Sequence, residues 1–333
     1  MIYQFHMPFF FFVSGIFIKE KDISKPRKFI LRQVRRLWLP YVYWNLFFLF
    51  THNYLYGFGM YSQELEIING AENYLRIIVR ILLFSGRDQL TGQMWFIVAL
   101  FLGSIIYVLL ASAVNFILHR KKGIDESKQK YNYHHILLIG ICSFILFLIG
   151  VYVSFPYGSL NQGLIAVIFL FLGQTFGERI SSQRSIFKWY YFILAIVFLM
   201  TCAIKNPSID IANMNYANPF IFVIGAIAGI YCILFISYNL SIRRMMRVLL
   251  PIGENTMIIM VLHLLAFKIL SLIFILFKIF PNGLLSQYPT IDYYNRGILS
   301  FAACFMYTIF GVFLPVQLKK LYTIIARKCE QIK

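Results

Sequence analysis

The imidazole of His6 is the most conspicuous chemical group near the start of the chain. It stands in the segment FHMPFFFFVSG, residues 5–15, where the surrounding side chains are almost all apolar. An ionisable side chain in such a segment is costly inside a membrane, so it is a functional-site hypothesis by default. Imidazole can take a proton from a hydroxyl group and return it near neutral pH. His6 is therefore a candidate catalytic base, and a histidine that only hydrogen-bonds a neighbouring helix is the alternative.

Three arginines form a second group of candidates in the segment RQVRRLWLP, residues 32–40. Arg32, Arg35 and Arg36 could clamp phosphate groups, because a guanidinium group can donate two parallel hydrogen bonds. The alternative is a basic anchor at the inner face of a membrane, followed by an interfacial tryptophan. The two roles are compatible.

Two later segments add an aromatic residue and a second histidine. Trp95 begins an apolar segment and is expected at the same depth as His6, so both could line one outward cavity; the alternative is an aromatic-belt residue. His263 and Lys268 are five residues apart, which is about 140° on a helix, so they need not share a face. Lys268 lies too deep in its segment to snorkel, and a polar interior is expected around it.

Composition indicates the elements that must position these residues. Of the 333 residues, 60% are hydrophobic and 13% are charged, which is too few for the surface of a soluble protein. Apolar runs of about 20 residues match the ~30 Å hydrocarbon core of a bilayer, and such segments must be helical. The sequence therefore predicts an all-α polytopic membrane helix bundle, with a further interfacial helix around Tyr74–Leu83. The nine predicted spans are 2–18, 38–57, 93–118, 134–153, 159–177, 187–204, 219–237, 256–280 and 297–318.

The distribution of cations predicts the orientation of the bundle. The net charge of +18 would suggest nucleic acid in a soluble protein, but 24 of the 31 Lys and Arg residues fall in alternate segments between the spans. Positively charged segments stay in the cytoplasm. The start of the chain and the segment 58–92 are therefore expected outside, and the C-terminus inside. The cation-rich segments are 19–36, 119–133, 178–188, 238–255 and 319–333.

Several common motifs are absent from the sequence. It has no Gly-x-Ser-x-Gly, no Gly-x-x-x-x-Gly-Lys-Ser/Thr and no His-Glu-x-x-His. The five cysteines show no Cys-x-x-Cys spacing, which favours small buried hydrophobes over disulfides or metal ligands. No metal site, no bound cofactor and no nucleic-acid partner is predicted.

Four stretches together resemble the acyltransferase-3 family of bacterial membrane O-acyltransferases, especially its fucose 4-O-acetylase-like branch. The first, residues 5–15, is the most specific. The others follow in the expected order and extend the resemblance over almost the whole chain. They are RRLWLPY at 35–41, MWFIVALF at 94–101, and GENT at 253–256 with His263 in the helix that follows.

The resemblance implies a single integral-membrane acyltransferase domain over 1–333 in the bacterial inner membrane. It implies transfer of an acyl group, such as acetyl, from acyl-CoA to a sugar hydroxyl of a cell-envelope or exported polysaccharide, or of its lipid-linked precursor. Members have ten helices, so one more helix is expected before Met1, and the family's principal histidine lies there. His6 is carried over as a family-signature residue, Arg32, Arg35 and Arg36 as donor-binding residues, and Trp95 and His263 as substrate-binding residues.

Two other functions stay open at this point. One is a transporter or exporter of a glycan intermediate without chemistry, which discontinuous helices in matching halves would favour; the sequence shows no such repeat. The other is an inactive fragment. The sequence leaves open which glycan is acylated, at which position, and whether the acyl group is acetyl or succinyl.

Overall fold

The computed structural model describes residues 1–86, 88–122, 133–180, 186–239, 243–281, 283–291 and 298–331. Over these ranges the chain is helical and forms no strand beyond an isolated bridge between Asp210 and Asn215. Short 3₁₀ helices cover Ile2–Gln4, Gln89–Met94 and Leu284–Ser286, and π-helical turns cover Val34–Trp38 and Phe176–Ile180. The α-helices are α1 (His6–Ile16), α2 (Glu20–Ser24), α3 (Pro26–Gln33), α4 (Leu39–Gly57), α5 (Ala71–Leu82), α6 (Trp95–Lys122), α7 (Tyr133–Tyr152), α8 (Leu160–Thr175), α9 (Trp189–Lys205), α10 (Pro219–Asn239), α11 (Arg243–Glu254), α12 (Thr256–Leu276) and α13 (Ile298–Gln331).

A helix occurs at each of the nine predicted spans, and α5 occupies the position predicted for an interfacial helix. The all-α polytopic membrane bundle is confirmed. Two of the nine helices, Ile2–Ile16 and Trp189–Lys205, are apolar but shorter than a full crossing, and α4 is not among the helices apolar enough to cross. Six stretches of the described chain are long and apolar enough to cross a membrane: Gln89–Leu118, Tyr133–Tyr152, Leu160–Glu178, Pro219–Asn239, Thr256–Leu276 and Ser300–Ile325.

The chain divides into two compact units, which are described separately below. The first unit combines Met1–Tyr41 with Trp95–Ser241, and the second combines Val42–Met94 with Ile242–Lys333. His6, the three arginines and Trp95 belong to the first unit. His263 belongs to the second.

Helix α8 lies at the centre of the first unit. Every residue from Asn161 to Leu170 is buried, and the helix packs against α1, α6 and α7. Its polar side chains bond within the protein: Asn161 Nδ2 donates to the Gly150 carbonyl at 2.9 Å, and Gln162 Nε2 donates to the Ala212 carbonyl at 3.1 Å. Helix α8 is therefore the buried central helix around which α1, α6 and α7 pack.

Two glycines let α1 lie directly on α8. A Cβ atom at Gly15 would overlap the carbonyl of Leu170, and one at Gly173 would overlap the carbonyl of Phe12. Small residues at a helix crossing allow the two backbones to approach this closely in a membrane. Gly15 thus permits close helix packing, and the crossing fixes the position of the phenylalanine-rich helix.

The segment before α1 is tied to the end of α9. The buried side chain of Gln4 donates from Nε2 to the carbonyls of Asn206 at 2.8 Å and Cys202 at 3.3 Å. Helices α9 and α10 pack as a pair, with Phe192 and Phe235 stacked at 4.5 Å between ring centroids. His6 follows Gln4 by two residues, so this anchor restrains the start of α1.

In the second unit, α12 and α13 pack against each other. The hydroxyl groups of Ser271 and Tyr307 hydrogen-bond across the two helices at 2.6 Å. A hydrogen bond between buried hydroxyls sets the register of the pair. The apolar cluster around it comprises Leu270, Phe274, Phe280, Ile291 and Tyr307.

Candidate functional site

His6 is the first residue of α1, and its ring has a defined tautomer. Nδ1 lies 3.1 Å from the carbonyl oxygen of Ile2. A carbonyl only accepts, so in the neutral ring Nδ1 carries the proton and Nε2 carries the lone pair. The Tyr3 ring meets the imidazole edge-on, 5.1 Å between centroids. His6 is half-buried, and Nε2 is the nitrogen equipped to accept a proton from a substrate hydroxyl.

The first turn of α6 brings Trp95 to the phenylalanine-rich helix. Phe96, next to Trp95, contacts Phe10 at 5.5 Å and Phe11 at 5.1 Å between ring centroids. Trp95 itself is half-buried, and its ring contact is with Phe96. The structure therefore brings together the helices that carry His6 and Trp95, within one unit, through a neighbour of Trp95 rather than through the indole ring.

The three arginines differ in what they contact. Arg32 pairs with the buried carboxylate of Asp22 at 2.9 Å, and its guanidinium lies over the Phe29 ring at 5.2 Å. Arg35 and Arg36 are exposed. The contacts of Arg32 suit a residue that ties α2 to α3. Arg35 and Arg36 are the pair whose guanidinium groups face solvent, where phosphates could reach them.

A π-helical turn carries both exposed arginines. It covers Val34–Trp38, and the N–H of Leu39 donates to the Val34 carbonyl, five residues back. Pro40 has no N–H to donate to the carbonyl four residues earlier, that of Arg36, so the regular α-helical ladder cannot continue there. Such π turns occur frequently at functional sites. Pro40 thus shapes the backbone that presents the two guanidinium groups.

His263 has the same tautomer as His6. Its Nδ1 donates to the carbonyls of Ile259 at 3.1 Å and Met260 at 2.8 Å, which leaves the lone pair on Nε2. Lys268, five residues later, is 1% exposed, and its Nζ donates to the Leu285 carbonyl at 2.7 Å. The polar interior expected around Lys268 is confirmed. Lys268 holds the segment after α12, whereas His263 keeps a nitrogen available.

Neither a metal-ligand cluster nor a disulfide is found among the described residues. Within those ranges no three His, Cys, Asp or Glu side chains come together as metal ligands would. The cysteine side chains that the structure describes, Cys142, Cys202, Cys232 and Cys304, are free thiols. The side chain of Cys329 lies outside them.

A polar cluster in the second unit was not expected from the sequence. His52 Nδ1 lies 3.0 Å from Asp88 Oδ2, and the two side chains are 7% and 8% exposed. The Tyr61 hydroxyl donates to Asp88 Oδ1 at 2.7 Å, and the N–H of Leu90 donates to the same oxygen at 2.9 Å. Burial and the negative charge of Asp88 raise the pKa of the Tyr61 phenol, which stays protonated and donates. Asp88 is thus held from three sides.

The contacts of His52 indicate an imidazolium rather than a base. Nδ1 faces the Asp88 carboxylate, and Nε2 lies 3.3 Å from the Glu66 carbonyl. Both partners only accept, so both ring nitrogens donate, and the ring must be protonated to do so. The buried charge is balanced by Asp88. The cluster therefore clamps the end of α4 to the segments 58–69 and 88–94.

One argument from the sequence could have identified His52 as a candidate residue. His52 is an ionisable residue in the predicted span 38–57, and the reasoning that singled out His6 applies to it equally. Asp88 is one of only 13 acidic residues in the chain. What the sequence does not reveal is that His52 and Asp88 meet, because the 35 residues between them combine α5 with irregular segments on either side.

Together the apolar helices define the class of protein, a polytopic helical membrane protein. The family model for the acyltransferase domain of the acyltransferase-3 type matches residues 1–322, and the chain belongs to this family. No curated protein and no solved structure matches the chain. The predictions of an acyltransferase and of a membrane protein are confirmed at the level of the family. The branch, the helix before Met1, the donor and the acceptor stay predictions.

Proposed function

We propose that this protein is a membrane O-acyltransferase that transfers an acyl group, acetyl in the first instance, from acyl-CoA to a sugar hydroxyl of a cell-envelope or exported polysaccharide. Membership of the acyltransferase-3 family supports the reaction class. The observation that carries the proposal is the geometry of His6, whose Nδ1–H is engaged by the Ile2 carbonyl and whose Nε2 is a proton acceptor. The predicted outward start of the chain puts this nitrogen on the side of an exported glycan.

In the proposed chemistry a single histidine, His6, both accepts the proton and returns it. Nε2 of His6 accepts the proton of the sugar hydroxyl while the hydroxyl oxygen attacks the thioester carbonyl. The C–S bond then breaks, and the coenzyme A thiolate leaves with the proton that the imidazolium returns. The Ile2 carbonyl supports this step because its hydrogen bond to Nδ1–H persists while the ring is charged. The products are a sugar ester and free coenzyme A.

The remaining candidates have supporting roles in this proposal. Arg35 and Arg36 bind donor phosphates from the cytoplasmic side, and Arg32 positions their segment through Asp22. Trp95 and His263 contribute to substrate binding. The setting is the bacterial inner membrane, with the C-terminus in the cytoplasm.

The test compares three variants of the full chain in its native membrane. His6→Gln keeps a donor for the Ile2 carbonyl but cannot carry a proton, and His6→Ala removes both functions. His134→Gln is the matched control, since His134 is an exposed residue in the first turn of α7. Loss of a general base costs roughly 10²–10⁴-fold in rate. We expect both His6 variants to lose acyl transfer by about 100-fold or more, with unchanged abundance in the membrane, and the control to keep it.

The assay follows labelled acyl groups from acyl-CoA into envelope polysaccharide, with mass spectrometry of the glycan as a second measurement. Full activity of His6→Gln would make His6 a structural hydrogen-bonding residue. Failure of glycan export with acylation intact would favour the transporter instead.

A further inference from the structure

The second unit contains a cavity beside the His52–Asp88 pair. Its volume is about 290 Å³. It is enclosed by the end of α4, by α5 and by the irregular segments on either side of α5. Ligand pockets begin at roughly 300 Å³, so the space suits a single small ring rather than a chain of them.

The charges that line this cavity cancel. His52 and Asp88 form the ion pair described above, and Glu66 and Arg80 contribute one negative and one positive group. The ionisable side chains lining it among the described residues therefore sum to zero. These described residues alone would give a phosphate or carboxylate no net attraction. A neutral molecule rich in hydroxyl groups would find both acceptors and donors.

Two of the charged lining residues are exposed at the surface. Glu66 and Arg80 are exposed, whereas His52 and Asp88 are buried and bonded to each other. Carboxylate and guanidinium groups each bind two neighbouring hydroxyls well, because both present paired atoms in one plane. Branched aliphatic side chains such as Leu49 and Ile81 complete the lining. Such a surface fits the C–H face of a pyranose.

We propose that this cavity binds one neutral sugar ring of the acceptor glycan, with Glu66 and Arg80 as the hydroxyl-binding residues and the His52–Asp88 pair as the rigid floor. That the sugar is an acceptor rests on the proposed function, whereas the binding itself does not. The cavity lies against the predicted outer segment 58–92, where an exported polysaccharide would be present.

The test measures binding to the purified full chain in lipid nanodiscs by saturation-transfer NMR and calorimetry. The probes are methyl glycosides of glucose, galactose, rhamnose and N-acetylglucosamine, with glucuronate and inorganic phosphate as anionic comparators. Each cavity variant has a matched control: Arg80→Gln is compared with Arg76→Gln, and Glu66→Gln with Glu64→Gln. All four residues are exposed, so the variants should fold.

We expect saturable binding of at least one neutral glycoside, weakened about tenfold by Arg80→Gln and by Glu66→Gln, since each removes a charged hydrogen-bonding group. The controls should bind as the unmodified chain does. Absence of binding by every neutral glycoside, tighter binding of either anion, or equal weakening by the controls would overturn the inference.

Acyl-transfer assays on the same variants separate this inference from the proposed function. Sugar binding without acyl transfer in the unmodified chain would remove the proposed reaction and leave the cavity as a sugar site. Acyl transfer that is unchanged in Arg80→Gln and Glu66→Gln would remove the cavity from acceptor binding and leave the reaction. Loss of transfer in both, with the His6→Gln variant still binding sugar, would support the two together.

Discussion

Replacing Asp88 by asparagine tests whether the His52 ring is charged. The change removes the carboxylate that lies 3.0 Å from Nδ1, while the asparagine oxygen can still accept from Tyr61 and Leu90. Breaking a buried ion pair costs about 3–5 kcal/mol when one charge is left behind. His52 can lose its proton, which limits the loss. We therefore expect the free energy of unfolding to fall by about 2–3 kcal/mol near neutral pH.

A double-mutant cycle isolates the pair from other effects of the substitution. Asp88→Asn, His52→Gln and the double variant are unfolded reversibly by SDS in mixed micelles, followed by tryptophan fluorescence. The expected coupling energy is about 1.5–3 kcal/mol, within the range for residues in direct contact.

A second cycle on the same unit supplies the control. Glu72 and Arg76 on α5 are 2.9 Å apart, close to the 3.0 Å of His52 and Asp88, but their side chains are 86% and 57% exposed. Exposed pairs four residues apart on a helix couple by about 0.3–0.5 kcal/mol. A coupling for His52 and Asp88 no larger than that of this pair would refute the imidazolium, and a neutral, weakly bound ring would replace it.

Two further predictions concern the first unit. Gly173→Ala should lower the free energy of unfolding by about 1–3 kcal/mol, because the added methyl group meets the backbone of α1. The control is Gly57→Ala, which should leave the free energy of unfolding unchanged because nothing lies within 4 Å of the added atom. Equal losses in the two variants would contradict the close crossing. Arg36→Gln should raise the KM for acyl-CoA about tenfold through loss of a charged hydrogen bond. The exposed Arg27 provides the control Arg27→Gln in the same kinetic assay, and a shared effect would indicate a general loss of positive charge.

Much of the fold follows from apolar length alone. The nine predicted spans each contain a helix, because a backbone in lipid has no other partner than itself. The depth of Lys268 indicated a polar interior, and the structure shows one. These features are local, since each depends on one segment and the medium around it.

The long-range pairings could not be derived in this way. Asp22 lies in a strongly basic segment, and nothing in the sequence distinguishes Arg32 as its partner from the other cations there. His52 and Asp88 meet across a segment in which α5 is flanked by irregular backbone, and no periodic pattern describes the course of those irregular stretches. The roles of His6, Trp95 and His263 stay predictions, because the sequence indicates their chemistry and not their ligands.

The burial of α8 has a consequence for how the protein is made. A helix whose polar groups bond to other parts of the chain gains little from lipid alone, and α8 carries Asn161, Gln162 and Gln174 inside the protein. Its packing partners α1, α6 and α7 all precede it in the chain. When α8 leaves the ribosome, these three helices have therefore already been synthesised, whereas Ala212, the partner of Gln162, is still to come. The order of the helices along the chain therefore matches an assembly in which α8 enters the bilayer after α1, α6 and α7 and packs against them.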